Sequence, residues 1–292
     1  MSSKSTIRDV SDTALWVAHY RAVETGRSDA IFRDPLAKVL VGERGAAIAG
    51  RFGREGRFTA WTVVSRTVII DEYIQDALRD GVDAVVNLGA GLDTRPYRMD
   101  LPTSLQWVEA DFPHLLAYKE EQLRDHVPNC RLQRVGVDLS NDAARRTFIA
   151  QVAPEAKCIL VLTEGVVPYL TEEQVSALAG DLRARPEVAL WVVEYFSERS
   201  YVYLKRMAQS AQMANSPFRF FPPRWTDFFY ERGWRQRAVH HYGEISERFH
   251  RAPPYPWAVR LMFRLMGRER RERLQRMAGY LLLAHRTDAD GK

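Results

Sequence analysis

From residue 83 onward, short apolar runs alternate with longer amphipathic stretches, and this alternation limits the fold more than any other feature of the chain. Seven runs read as strands: 84–88, 105–110, 132–137, 159–163, 189–194, 235–240 and 280–284. Helical periodicity between them predicts helices over 94–97, 114–126, 142–152, 171–184 and 200–214. The clearest start is Thr171-Glu172-Glu173-Gln174, a capping box in which the first hydroxyl and the last amide satisfy each other's backbone donors. Strands separated by helices cannot pair as hairpins. The pattern therefore predicts an α/β fold with a seven-stranded, mostly parallel sheet and helices on both faces.

The first eighty or so residues show no strand. Helices are predicted over 12–25, from the start Asp34-Pro35-Leu36-Ala37, and over 62–79. Leu15, Val17, Ala18 and Ala22 fall near one helical face, so residues 1–80 read as a helical cover on a sheet core of 81–292, all within one domain. Another irregular stretch, 215–224, interleaves Pro217, Pro222 and Pro223 with Phe218, Phe220 and Phe221. It suggests a substrate-lid insertion near 198–230.

Composition excludes several classes. With 46% hydrophobic and 27% charged residues the chain reads as an ordinary globular protein. Cys130 and Cys158 each fall in a strand-like segment and read as reduced thiols. No CxxC or Cys/His cluster has metal-ligand spacing, so no metal is expected. The start, Met1 to Arg8, lacks the apolar core of a signal peptide, and no run reaches transmembrane length. A cytoplasmic monomer or homodimer without a membrane partner is the expectation. Net charge is +5, of which residues 264–276 contribute +4 through six arginines against two glutamates. Without aromatic residues, that block reads as a solvated helix face rather than a nucleic-acid surface.

The first strand ends in Gly89-Ala90-Gly91-Leu92-Asp93-Thr94, a turn whose glycines let a ligand approach the backbone. Two cofactors compete for such a loop. A dinucleotide wants a third glycine at position 94 and a helix start free of negative charge; here stand Thr94 and, before it, Asp93. An acid beside the loop opposes a diphosphate but suits S-adenosylmethionine (SAM), which carries an amine and a sulfonium and no phosphate.

Later strand ends supply further acids. Asp111, twenty residues after Gly91, can accept hydrogen bonds from both ribose hydroxyls, with Glu109 on the same face as the alternative. Asp138 closes the third strand, where the adenine edge would lie, and Glu164 follows the fourth, on the carboxyl edge where doubly wound sheets bind ligands.

These residues, in order and spacing, resemble the leucine carboxyl methyltransferases and their bacterial relatives, including O-methyltransferases of polyketide pathways. The resemblance runs through Val86-Asn87-Leu88-Gly89-Ala90-Gly91-Leu92-Asp93-Thr94, Glu109-Ala110-Asp111-Phe112-Pro113, Val137-Asp138-Leu139, and Thr163-Glu164-Gly165 with Tyr169-Leu170-Thr171-Glu172-Glu173-Gln174. It covers roughly residues 60–180. It implies a Rossmann-like class I methyltransferase fold. It also implies that Arg66, ahead of the helix leading into the first strand, pairs with the methionyl carboxylate of SAM, that Gly89 lines the cofactor, and that Asp111 holds the ribose. Asp138 and Leu139 would then meet the adenine, and Glu164 the methionyl amine. Protein-directed members carry a lysine in the first helix, where this chain offers Arg21. The stretches 15–21 and 31–37 look more like the bacterial branch.

Methyl transfer from a sulfonium mainly needs alignment and exclusion of water. A carboxylate acceptor is ionised at neutral pH and needs no base, whereas a phenol benefits from one. His19, His114, His240 and His241 occupy no spacing that implies a partner, which favours a carboxylate. Tyr169 could orient the acceptor. Tyr201, Tyr203, Phe218, Phe220, Phe221, Trp225, Phe228 and Phe229 exceed what core packing needs and suggest a small hydrophobic acid, such as a polyketide-like one. The competing readings are a phenol or hydroxyl O-methyltransferase, an RNA methyltransferase using residues 264–276, a SAM-binding regulator without chemistry, and a nicotinamide dehydrogenase.

Overall fold

The seven apolar runs become strands β1 (Ala84–Leu88), β2 (Gln106–Asp111), β3 (Arg131–Gly136), β4 (Ile159–Leu162), β5 (Val188–Phe196), β6 (Trp234–His241) and β7 (Ala278–His285). The computed structural model describes residues 10–49, 53–208 and 217–286. Within it the strands form one sheet ordered β3-β2-β1-β4-β5-β7-β6. Strands β1 to β5 run parallel, and β7 inserts antiparallel between β5 and β6. This is the class I methyltransferase arrangement, and its order reverses between β1 and β4. A crevice opens at such a reversal, beyond the carboxyl ends of the strands.

Both faces of the sheet are covered, which is why β1 and β4 are buried at every position. One face takes Ala84, Val86 and Leu88 of β1 together with Val175, Leu178 and Leu182 of helix α7 (Glu172–Arg183). The other takes Val85 of β1 with Ile69, Ile70, Tyr73, Ile74 and Ala77 of helix α3 (Gly53–Arg79). Alternation along the strand assigns successive residues to opposite layers. A smaller cluster joins Leu15 and Ala18 of α1 (Val10–Thr25), Leu40 and Val41 of α2 (Pro35–Ala49), Leu92, and Leu115 and Leu123 of α5 (Pro113–Leu123). These helices therefore hang over the glycine-loop end of the sheet.

Helix α3 begins at Gly53, nine residues before the expected start at 62, and runs unbroken to Arg79, so Arg66 stands at the middle of the helix leading into β1 and not ahead of it. Cys130 and Cys158 sit just before β3 and β4, not within them, and both are free thiols. Short helices α4 (Arg95–Arg98) and α6 (Asp142–Gln151) follow β1 and β3. Helix α8 (Glu198–Ala208) replaces the start expected at residue 200; its expected continuation to 214 lies outside the described residues, as does the stretch Met1–Arg8. Helix α9 (Trp225–Tyr230) follows the prolines. Between β6 and β7 the chain forms α10 (Tyr242–Arg248), α11 (Trp257–Leu265) and α12 (Arg268–Gln275), where sequence reading assigns a helix face only to 264–276. No described helix is long and apolar enough to cross a membrane.

Candidate functional site

The crevice at the β1/β4 reversal holds a cavity, and all ten residues singled out by sequence line it: Arg66, Gly89, Ala90, Gly91, Asp93, Asp111, Asp138, Leu139, Glu164 and Tyr169. Thr13, Ala14, Val17 and Arg21 of α1 close one side.

The glycine loop has the backbone that its residues require. Gly89 and Gly91 both adopt positive φ, and a Cβ on Gly89 would run into the Val166 side chain. Asp111 clamps the loop: its Oδ2 accepts from Gly91 N at 2.6 Å and its Oδ1 from Phe112 N at 2.7 Å. Burial pushes the Asp111 carboxyl up against the opposing pull of those two donors. Glu109, the alternative, does not line the cavity. It is fully buried between Lys119 of α5 at 2.7 Å and Arg134 of β3 at 3.0 Å, and is thereby spent on holding helix to sheet.

Asp93 corrects the sequence argument. Its carboxylate is committed to Arg95 Nη1 and Asn87 Nδ2, each at 2.9 Å, and also accepts from Arg95 N. Burial alone would raise its pKa, but Arg95 at hand, with Lys119, Arg21 and Arg98 beyond, holds it well below the usual carboxylate range. The charge is thus neutralised locally, and repulsion of a diphosphate loses most of its force.

Arg95, which sequence reading missed, organises this side of the site. Only 2% exposed, it reaches Asp71 Oδ1 at 2.6 Å, Asp93 Oδ2 at 2.9 Å and Glu164 Oε2 at 2.8 Å. The other oxygen of Glu164 lies 2.8 Å from Arg66 Nε, in an ion pair whose Nε–H is not aligned as a hydrogen bond. Burial works against ionisation of Glu164, yet Arg95 and Arg66 together hold its pKa below the ordinary value. Arg21 is likewise committed, to Asp34 at 2.8 Å and to the Leu92 carbonyl at 2.5 Å, so it ties α1 to the loop.

Asp138 serves as a turn acid as well as a wall. Its Oδ1 accepts from Ser140 N and Ser140 Oγ ahead of α6, whose cap is Asn141. Tyr169, in the 3-10 turn Val167–Tyr169, packs on Phe218 at 5.0 Å between ring centroids, and burial pushes its phenol up to about 12. Of the other aromatic residues that suggested a hydrophobic substrate, none of those described lines the cavity. Tyr201, Phe220, Trp225, Phe228 and Phe229 belong to the main core, Phe221 packs against Tyr201, and the Tyr203 side chain lies outside the described residues. Core packing absorbs the surplus that suggested a small hydrophobic acid. None of the four histidines lines the cavity, and His241 has a partner after all, Glu244, in the cap of α10.

Two lining residues keep buried oxygens without a hydrogen-bond partner, Thr13 Oγ1 and Asn87 Oδ1. Asn87 was legible as the one polar residue inside an apolar strand. Behind the loop stands Glu194 of β5, also missed. Its Oε1 accepts from Gly165 N and from Val166 N at 3.3 Å, and its Oε2 is buried without a partner. Burial, opposed by those donors and by Arg66, pushes it up to about 7.

A family model described as leucine carboxyl methyltransferase matches residues 14–182. A protein of Mycobacteroides abscessus, provisionally named an S-adenosyl-L-methionine-dependent methyltransferase, is 36% identical over 189 residues, 59% of this chain and 61% of its own. A similarly named protein of Streptomyces avermitilis is 34% identical over 182 residues, 59% of this chain and 64% of its own. The chain thus spans about three fifths of the length of these curated relatives. The crystal structure of a DUF574 family protein from Streptomyces avermitilis superposes with a TM-score of 0.53 at 15% identity, covering 92% of this chain and 97% of that one, a likeness of fold. The family match takes in more than half of the 292 residues and every cavity residue except Thr13, and the chain belongs to the leucine carboxyl methyltransferase family.

Proposed function

We propose that the chain is a SAM-dependent O-methyltransferase that acts on a small-molecule acceptor, most simply a carboxylate of a natural-product or polyketide-like compound, as one domain in the cytoplasm. The observation that carries the reading is the cavity itself. Glycine backbone, a clamped aspartate, the guanidiniums of Arg21 and Arg66 and two unpartnered buried oxygens converge at the sheet reversal, and buried polar atoms left unsatisfied call for a polar ligand. The residues fit SAM. Asp111 has lone pairs left for ribose hydroxyls, Asp138 and Leu139 stand where the adenine would lie, and Arg66 stands at the methionyl end, where its fork suits a carboxylate. Asn87 Oδ1 and Glu164 are acceptors for the amine.

Bound SAM would supply a methyl group on a sulfonium, which the acceptor oxygen would take as the C–S bond broke and its electron pair returned to sulfur. The chain's part is to align and to exclude water. Tyr169, at the mouth and held protonated by burial, can donate a hydrogen bond to the acceptor. No described lining residue is a histidine, which supports an acceptor that needs no base. A hydroxyl acceptor is the second reading; it would need a base, and Glu194 is bound to the Gly165 turn behind the loop and does not line the cavity.

Thermal unfolding of the full chain with SAM or its demethylated product tests the cofactor. Ligand at a hundredfold its Kd adds about 2.7 kcal/mol. No shift with either would sink the proposal. An alkali-labile methyl product identifies an ester, and an alkali-stable one moves the acceptor to a hydroxyl.

A further inference from the structure

Helix α11 is amphipathic the wrong way round for a core helix. At about 100° per residue, Trp257, Leu261, Leu265, Ala258 and Met262 share an arc of about 140°. None of them is buried: Trp257 is 78% and Leu265 80% exposed, and Leu261 and Met262 about half. The opposite side, Val259 and Phe263, turns toward the protein, with Phe263 stacked on Tyr255 at 5.2 Å. Arg260 and Arg264 border one edge of the apolar arc, and Arg270 of α12 borders the shallow concavity beside it. Arg271 donates to the carbonyls of Arg264 and Met266, fastening α12 to the end of α11.

Charge adds the second observation. Residues 257–276 hold seven arginines and two glutamates, a net +5 that equals the net charge of the whole chain. An exposed apolar stripe framed by arginines, with a tryptophan at one end, is the chemistry of a helix lying in a bilayer interface. We propose that α11 and α12 form a docking surface for an anionic phospholipid bilayer. Trp257, Leu261 and Leu265 enter the acyl boundary, and the arginines meet the headgroups. A two-fold contact with a second copy would bring +5 against +5, and a nucleic acid would leave the apolar stripe uncovered. This reading departs from the expectation of no membrane partner, which rests on the absence of a spanning segment. A helix that lies on a surface needs no such length.

Flotation of the full chain with vesicles decides it. Phosphatidylcholine alone is compared with the same lipid carrying about 30 mol% phosphatidylglycerol. The expected result is at least about tenfold more protein on the anionic vesicles at low salt, falling steeply by about 0.5 M salt. Leu265→Glu, at a position that touches little, should lower that binding about tenfold with an unchanged melting temperature. Equal or no binding to the two vesicle types in the unaltered chain overturns the proposal whatever the variant does. So does a dimer in size-exclusion chromatography that Leu265→Glu converts to monomer, because the face would then belong to a second copy.

Discussion

Arg66 Nε and Glu164 Oε1 lie 2.8 Å apart, joining the middle of α3 to the turn after β4, and Glu164 alone of the pair has a second partner in Arg95. The two halves of this contact are therefore unequal. Removing Arg66 leaves Glu164 held by Arg95. Removing the carboxylate leaves Arg66 without its partner and Arg95 with Asp71 and Asp93.

Arg66→Ala should therefore cost the fold about 1 kcal/mol or less but weaken SAM binding by about 1–3 kcal/mol, the usual range for a charge-assisted contact. Glu164→Gln should destabilise the fold by about 3 kcal/mol, as breaking a buried ion pair does. Urea unfolding and calorimetric titration of both variants check the asymmetry; equal stability losses would mean that Arg95 does not hold Glu164 independently.

Gly89 makes a separate demand on the backbone. Its positive φ and the closeness of Val166 penalise any side chain, so Gly89→Ala should lose about 1–3 kcal/mol of stability and most of the cofactor affinity. Adding Val166→Ala removes the clash but not the strain. Partial recovery of the melting temperature in the double variant is the expected outcome; full recovery would place the whole penalty in the contact.

Asp111 and Glu109 show how far sequence alone could go. Both are acids on one face of β2, and strand alternation cannot separate them. The helix that follows does: Lys119 of α5 reaches back to Glu109, and the glycine loop reaches Asp111. Asp111→Ala should weaken SAM binding by about 1–3 kcal/mol, whereas Glu109→Gln should lower stability and leave the affinity within twofold. Affinities measured at a temperature where both variants are folded would exchange the two roles if the order were reversed.

The strands and the glycine turn were legible because they depend on local signals, apolar runs such as Val85-Val86 and the glycines that end them. What stayed hidden depends on contacts between residues far apart in the chain. The Asp93 charge is set by Arg95, which in turn also meets Asp71 and Glu164, 24 and 69 residues away. The aromatic residues after α8 gave no periodic signal to divide core from cavity wall, and the sheet took nearly all of them. Glu194 looked like any acid at a strand end, until β7 and the Gly165 turn closed over it.

Glu194 gives the site its pH dependence. Facing it are Arg66 from α3, Tyr169 from the turn after β4, Tyr242 from α10 and Tyr280 from β7. Burial moves its carboxyl from 4.5 up to about 7, so between those values the folded chain keeps a proton that the unfolded chain has lost. Its contribution is favourable below about pH 4.5 and is lost progressively as pH rises to about 7. Glu194→Gln keeps an acceptor for Gly165 N–H, carries no charge and cannot titrate. The stability of this variant relative to the unaltered protein should therefore grow across that window by about 3 kcal/mol and stay flat above it. Asp93 and Glu164, both held below the ordinary range, act with the opposite sign but are common to the two proteins and cancel in the difference. Urea unfolding at a series of pH values reads it directly. Parallel stability curves for the two proteins would mean that Glu194 is ionised throughout, with its charge compensated by Arg66.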